Sequence, residues 1–430
     1  MDKRADELHS AADIAHSTAY ALHRPGDGAV AQEPEDIVTN EMPQKPAVPF
    51  PVVGIGGSAG GYEAVADLLR QIPKETGMAF VLVQHLDPNH KSQLTELLAR
   101  VARIPVLKAV NEMAVEPDQL YVIPENVTLT LADGHLRIHP RKEHDGSPMP
   151  IDLFFRSLAQ QQLNQSIGVV LSGTGCDGTL GIEAIKGEGG LTFAQNDRTS
   201  KYYGMPRSAI ATGAVDLVLS PGEIARELVR IAKHPLIGLP RKTLDSTGEE
   251  AAELERLTRE SPDEISTLFH VLRAHTGVDF SFYKQSTLKR RIMRRMILHR
   301  AGKLAEYLKL AESNPAELDA LFNDLLINVT SFFRDPQTFK TLKKKVFPRV
   351  VKAHNGESPL RIWVCGCSTG EEAYSIAMAL VEYFDQTRTH RPAQIFATDV
   401  SEVGIDRARA GIYPANIQQD VSPERLRRFF

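Results

Sequence analysis

From Phe50 the chain alternates short apolar runs with amphipathic stretches. The runs PFPVVGIGG, MAFVLVQHL, SIGVVLSG, LTFAQN and AVDLVLS each have about the length of one strand. Between several of them lie stretches with helical spacing, such as Tyr62 to Gln71 and Lys91 to Val101. Buried strands alternating with helices predict an α/β domain, a doubly wound parallel sheet covered on both faces. A helix around Pro221 to Lys233 closes it, so this domain is expected over residues 47–235.

The pattern differs on either side. Residues 1–46 mix Ala, His, Asp, Glu and Pro without periodicity and read as a disordered tail. After the first domain, residues 236–260 include the polar segment Pro240 to Ala251 and read as a linker. Residues 261–352 carry almost no strand signal, while Ile265, Leu268, Phe269 and Leu272, and again Leu318, Leu321, Phe322 and Leu325, recur at helical spacing. A small all-α domain is predicted there. Residues 353–430 open with the apolar run LRIWVCG, continue through a helix from Glu371 to Phe384 and reach a second run, QIFATDV. One βαβ unit of this kind is the start of a Rossmann-like domain, and the third block is read as a partial one.

Composition narrows the function classes. Hydrophobic content of 42% and charged content of 24% are globular values. A formal net charge of -4 gives no overall pull toward nucleic acid or anionic membrane. No run approaches the roughly 18 apolar residues of a membrane span, and no signal pattern opens the chain. The three cysteines, Cys176, Cys365 and Cys367, are too few for a disulfide framework. A soluble cytoplasmic protein is expected. Cys365 and Cys367 lack further partners for zinc, and no metal site is predicted.

The candidate chemistry lies where strands end. Gly56-Gly57-Ser58-Ala59-Gly60 follows the first strand and precedes a helix, which makes a turn able to expose a serine hydroxyl beside helix amides. Gly54, Gly56 and Ala59 also fit a dinucleotide loop, but the next strand ends in Gln84-His85 where that reading needs an acid. His85 can serve as general base from the same sheet edge; a solvated strand-end histidine is the alternative. Asp177, in the segment LSGTGCDG after the strand SIGVVL, can orient the imidazole. The order Ser, His, Asp differs from that of ordinary α/β-hydrolases.

With GIGGSAGG at Gly54 to Gly61, VLVQHLDP at Val81 to Pro88, LSGTGCDGTLG at Leu171 to Gly181 and YGMPRSAI at Tyr203 to Ile210, the sequence resembles the catalytic domain of chemotaxis protein-glutamate methylesterases over about Val48 to Ala232. The resemblance implies Ser58 as nucleophile, His85 as base, Asp177 as orienting acid, and the backbone amides of Ala59 and Thr174 as oxyanion donors. It places Met205 in a loop beside the site. Thr174 stands where the family commonly has Met, a change a backbone role tolerates. The receiver domain that usually precedes this module is not expected, since the tail has neither its length nor its strand pattern. No cofactor is implied for the esterase.

The remainder, about Asp263 to Phe430, resembles chemotaxis receptor methyltransferases through NVTSFFRDP at Asn328 to Pro336, CSTGEEAYSIA at Cys367 to Ala377 and FATDVSEVGIDRARAGIY at Phe396 to Tyr413. The cofactor so implied is S-adenosylmethionine. Ser368, Thr369 and Gly370 lie between strand and helix, where amides can approach its carboxylate, with Glu371 and Glu372 following. Asp399 ends the next strand and suits ribose hydroxyls, although it could equally cap a helix, as could Ser401. Thr330 and Arg334 are implied to reach over the cofactor. The basic stretch with Lys289, Arg290, Arg291, Arg294 and Arg295 is by default a solvated face; the resemblance implies a helix that docks on the acidic cytoplasmic helices of methyl-accepting receptors. Aromatic interleaving is lacking, which disfavours nucleic acid.

The expectation is a glutamyl methyl ester hydrolase, acting on chemotaxis receptors, fused to a truncated methyltransferase with weak or no methyl transfer. Two other readings compete: a receptor-binding scaffold that has lost one or both activities, and a generic serine hydrolase, which would need a deep apolar acyl pocket.

Overall fold

The computed structural model describes residues 47–86, 92–140, 149–237, 262–326, 330–353, 358–389 and 391–430. The expected disordered tail and nearly all of the expected linker lie outside these described residues.

Seven parallel strands form the first sheet. In chain order its strands are β1 (Val52–Gly57), β2 (Ala79–Gln84), β3 (Val106–Lys108), β5 (Leu120–Val122), β8 (Ser166–Val170), β9 (Leu191–Gln195) and β10 (Leu217–Leu219), set side by side as β10-β9-β8-β1-β2-β5-β3. Every pairing in it is parallel. Two apolar clusters cover it. On one, Leu68, Leu69, Phe80, Leu82, Phe193 and Leu228 are fully or almost fully buried; on the other, Val81, Phe154, Phe155, Leu158 and Ile182 are. Side chains of this size, removed from water, contribute roughly 1.5–3 kcal/mol each. Buried on both sides, the central strands must be continuously apolar, which is the pattern that marks them in the sequence.

A smaller antiparallel sheet went unforeseen. It pairs β4 (Met113–Ala114), β7 (His135–Pro140) and β6 (Val127–Ala132), and of β6 and β7 only Leu129, Leu131 and Leu136 are buried. The helix Pro150–Gln162, with proline in its first turn, follows and lies against β1 and the helix Thr179–Gly187.

The second block is helical, as expected: Pro262–Thr276, Gln285–Leu298, Leu304–Ser313 and Pro315–Leu325 share a core of Leu268, Leu272, Phe280, Leu288, Tyr307 and Leu321. In the third block β11 (Leu360–Cys365) and β12 (Ala393–Thr398) form a two-stranded parallel sheet with the helix Glu371–Thr387 between them in sequence. Trp363 and Phe396 pair across it and remain 69% and 52% exposed.

Candidate active site

The chain turns from β2 and β3 to β8 on opposite sides of β1, so the strand order reverses between β1 and β8. Crevices at the carboxyl ends of strands flanking such a reversal are the usual ligand sites of open parallel sheets. Ser58 follows β1 directly, His85 follows β2 directly, and Asp177 lies in the loop after β8. Register fixes their level, because Gly57 faces Gln84 across the β1–β2 pair, and the amide of Ser58 donates to the carbonyl of Ser172 at 3.0 Å.

The three side chains form one relay. Ser58 Oγ lies 3.1 Å from His85 Nδ1, and His85 Nε2 lies 2.7 Å from Asp177 Oδ2. Asp177 accepts, so Nε2 carries the proton and Nδ1 presents its lone pair to the serine hydroxyl. This is the reverse of the commoner assignment of the two ring nitrogens. The Asp177 side chain is 2% exposed and its acceptor positions are filled. Ile151 N–H donates to Oδ2 at 3.0 Å, and the amides of Asp152 and Gly178 each donate to Oδ1 at 2.9 Å. These amides open the helices Pro150–Gln162 and Thr179–Gly187, whose first N–H groups have no partner within the helix. Two helix ends therefore hold the carboxylate in one orientation.

Close backbone approach shapes the turn. Gly60 takes φ 71° as the residue before the helix Gly61–Leu69, a conformation costly for other residues. Gly173 is wedged beside Ser58: a Cβ there would lie 2.9 Å from Ser58 Cβ and 2.1 Å from Met205 Sδ. Met205 is fully buried and sits in the first turn of the helix Gly204–Ala211, not in the loop expected for it. Its amide donates to Gly173 O at 2.9 Å, which ties this helix to the wall of the site. Ala59 follows Ser58, and Thr174 follows Gly173 on the exposed rim.

Several residues of this site escaped the sequence reading. Ser172 Oγ donates to Ala59 O at 2.9 Å and accepts from Tyr202 N at 3.0 Å, so it clamps the turn that carries Ser58. Gln195 supports it, accepting from Ser172 N at 2.8 Å. Asp152 lies behind Asp177, fully buried; burial and the Asp177 charge push its carboxyl up to about 7. A polar residue at the end of a buried strand is the signal that could have found Gln195.

The expected cofactor residues divide. Ser368 N–H donates to Asp399 Oδ2 at 2.8 Å, and Ser401 N–H donates to Asp399 Oδ1 at 2.8 Å. Ser401 Oγ, not Asp399, caps the helix Glu402–Ala410 by accepting from Gly404 N at 3.1 Å. Asp399 thus stays at the strand end, beside a cavity of about 470 Å³ lined also by Gly366, Thr398 and Val400 and, from the helical block, Tyr283, Leu325 and Leu326. That volume suits a nucleoside-sized ligand. Thr369 and Glu371 bond to each other at 2.6 Å, and burial pushes the Glu371 carboxyl up. Thr369 lines a different cavity, which faces Glu183 and Lys186. Glu372 and Arg334 are exposed, and Thr330 is half-buried. Cys367 is buried and Cys365 exposed, and among the described residues no cluster suited to a metal occurs.

The basic helix departs most from expectation. Arg291 and Arg294 are 3% and 1% exposed and face the first domain, not solvent. Arg291 donates to the carbonyls of Lys186 and Gly187; Arg294 donates to Gly190 O at 2.9 Å and pairs with Asp216 and Asp324. Arg295 pairs with Glu317. A receptor-docking face containing these three arginines is therefore corrected: their charges are consumed by contacts within the chain. Lys289 and Arg290 are half-buried.

Residues 53–228 match the CheB methylesterase family, 263–326 the all-alpha domain of CheR methyltransferase, and 328–430 its SAM binding domain. The chain is a CheB–CheR fusion. An uncharacterised 104.1 kDa protein of Rhodobacter capsulatus is 37% identical over 347 residues, which is 78% of this chain and 36% of that one. A protein-glutamate methylesterase/protein-glutamine glutaminase of Burkholderia thailandensis is 36% identical over 185 residues, 43% of this chain and 54% of that protein. The crystal structure of the Thermotoga maritima CheB methylesterase catalytic domain aligns over 43% of this chain and all of its own, at 28% identity and a TM-score of 0.40. The fusion spans about a third to a half of the length of these curated relatives. Among its described residues no helix is long and apolar enough to cross a membrane.

Proposed function

We propose that the CheB part hydrolyses methyl esters of glutamyl side chains on chemotaxis receptors, with Ser58 as nucleophile, His85 as base and Asp177 as its orienting partner. The observation that carries this reading is the unbroken relay from Ser58 Oγ through His85 to Asp177 at the sheet's reversal point.

The geometry supports a two-step acyl transfer. Ser58 Oγ attacks the ester carbonyl as its proton passes to His85 Nδ1, and the oxyanion is assigned, by resemblance to the family, to the amides of Ala59 and Thr174. Collapse breaks the bond to the methoxy oxygen, which takes the proton from His85 and leaves as methanol. Water then attacks the acyl-serine, gives its proton to His85 and releases the carboxylate, while Ser58 regains a proton. The same steps with ammonia as leaving group would deamidate glutamine. His85 is a third exposed, in keeping with an ester presented on the surface of a helix and not in a deep acyl pocket.

For the CheR part, Asp399 is suited to ribose hydroxyls and the Ser368–Gly370 loop to a carboxylate, so these residues fit S-adenosylmethionine. When bound, that cofactor supplies an electrophilic methyl group for a glutamate oxygen.

Methanol release from methyl-esterified receptor fragment, by the chain and by Ser58→Ala, tests the esterase. Release by the first and its loss in the second, with the fold intact, is the expected result. No release from either would leave the scaffold reading.

A further inference from the structure

Asp152 joins the two enzymes. Its amide donates to Asp177 Oδ1 at 2.9 Å, and its own side chain, fully buried, accepts from Gly181 N at 2.7 Å through Oδ1. Its second oxygen is turned to the CheR part, where it accepts from Asn416 Nδ2 at 3.2 Å and from Gln419 Nε2 at 3.3 Å. The turn Ala415–Gln419 that carries both amides is pinned in place. Arg156, one helical turn beyond Asp152, holds Asp420 with two hydrogen bonds of 3.0 and 3.1 Å, and on the other side Tyr413 OH donates to Thr369 O at 2.7 Å.

We infer that Asn416 and Gln419 are positioning residues for the ester hydrolysis, acting through Asp152 on the Asp177 end of the relay. The inference rests on the esterase reading above.

The argument is electrostatic. An ionised Asp152 places a second negative charge behind Asp177 and thereby favours the imidazolium that His85 becomes in the transition state. Two amide donors from the CheR part stabilise that ionised form. The groups around Asp152 otherwise oppose or balance one another: Asp177 and the half-buried Glu183 disfavour its charge, Arg156 favours it but is shared with Asp420, and the Cys176 thiol alongside is itself pushed up by burial and by both aspartates. Asn416 is fully buried, and its Oδ1 has no hydrogen-bond partner. Rotation of that amide by half a turn would offer Oδ1 to a protonated Asp152, so the contact can persist in either charge state while only one of them assists His85.

The test uses the full chain and a synthetic peptide carrying a glutamyl γ-methyl ester, with methanol release followed from pH 5 to pH 9. Gln419→Ala, at an exposed position, and Asn416→Ala combined with Gln419→Ala remove the donors in steps. The expected result is a rate reduced about fivefold at pH 7 in the double variant and restored to within about twofold at pH 9, because the Asp152 carboxyl then ionises about one pH unit later. Asp152→Asn should be slower than wild type, and adding the two alanines to it should change nothing more. A loss of the same factor at every pH, or one that persists in the Asp152→Asn background, would overturn the inference and leave the esterase reading standing. A wild type that releases no methanol would remove both.

Discussion

Arg294 reaches from the helical domain into the first domain and pairs with Asp216, and neither side chain is more than 2% exposed. Asp324 of the helical block takes the other arm of the guanidinium, and Lys186 lies 3.7 Å from Asp216 and 3.5 Å from Asp324. Burial alone would lower the Arg294 pKa, yet the two carboxylates more than offset it and hold it above its ordinary value. Removing one member of such a group leaves buried charge without compensation, which costs roughly 3–5 kcal/mol. Arg294→Ala should therefore lower the unfolding free energy by about that amount, measured by urea titration. Replacing Arg294, Asp216 and Asp324 together by apolar residues of similar volume should cost much less. If the single and triple variants were equally unstable, packing and not charge would hold this contact.

Gly173 gives a kinetic prediction. Space for one methyl group does not exist between Ser58 and Met205, so Gly173→Ala must displace the Met205 thioether, Ser58 Cβ or both. A shift approaching 1 Å in a catalytic group reduces turnover roughly 100-fold. The variant should keep its fold by circular dichroism and lose methanol release. Restoration by Met205→Ala in the same chain would locate the effect in this contact, and a fully active single variant would refute it.

What could be read from the sequence follows a physical line. Buried parallel strands must be continuously apolar, and residues at their ends face one edge, so Ser58, His85 and Asp177 could be brought together without coordinates. β6 and β7 were equally legible, because Val127, Leu129 and Leu131 alternate with Thr128 and Thr130 and the pair Asp133-Gly134 is a hairpin turn signal. Asp152 and Asn416 lie too far apart in the chain for any local pattern to pair them, and Arg294 among other basic residues looks like a solvated face. Those contacts exist only once two domains meet, and no periodicity encodes that meeting.

Glu382 links pH to the stability of the CheR part. Hydrogen bonds and charge from Arg425 and Lys343 pull its carboxyl down to about 2. A carboxylate depressed in the folded state contributes stability above its unfolded pKa, near 4.3, and loses it as pH falls through the folded value. Glu382→Gln should consequently lower the melting temperature at pH 7, with the gap to wild type closing between about pH 4 and pH 2. A gap independent of pH would mean that packing of the side chain, not its charge, matters.

Cofactor affinity is the remaining expectation. The candidate pocket beside Asp399 has a floor of strand ends and one wall from Tyr283, Leu325 and Leu326, and it lies open to solvent. Tight small-molecule sites bury most of the ligand surface. Asp399 can still receive ribose hydroxyls, since the amides of Ser368 and Ser401 occupy only part of its acceptor capacity. Orientation without enclosure predicts weak S-adenosylmethionine binding, with Kd above about 100 μM by calorimetry. Any heat that survives in Asp399→Ala would be non-specific. A Kd in the low micromolar range, abolished by Asp399→Ala, would show that these residues suffice for the cofactor and that the scaffold role is not needed to account for them.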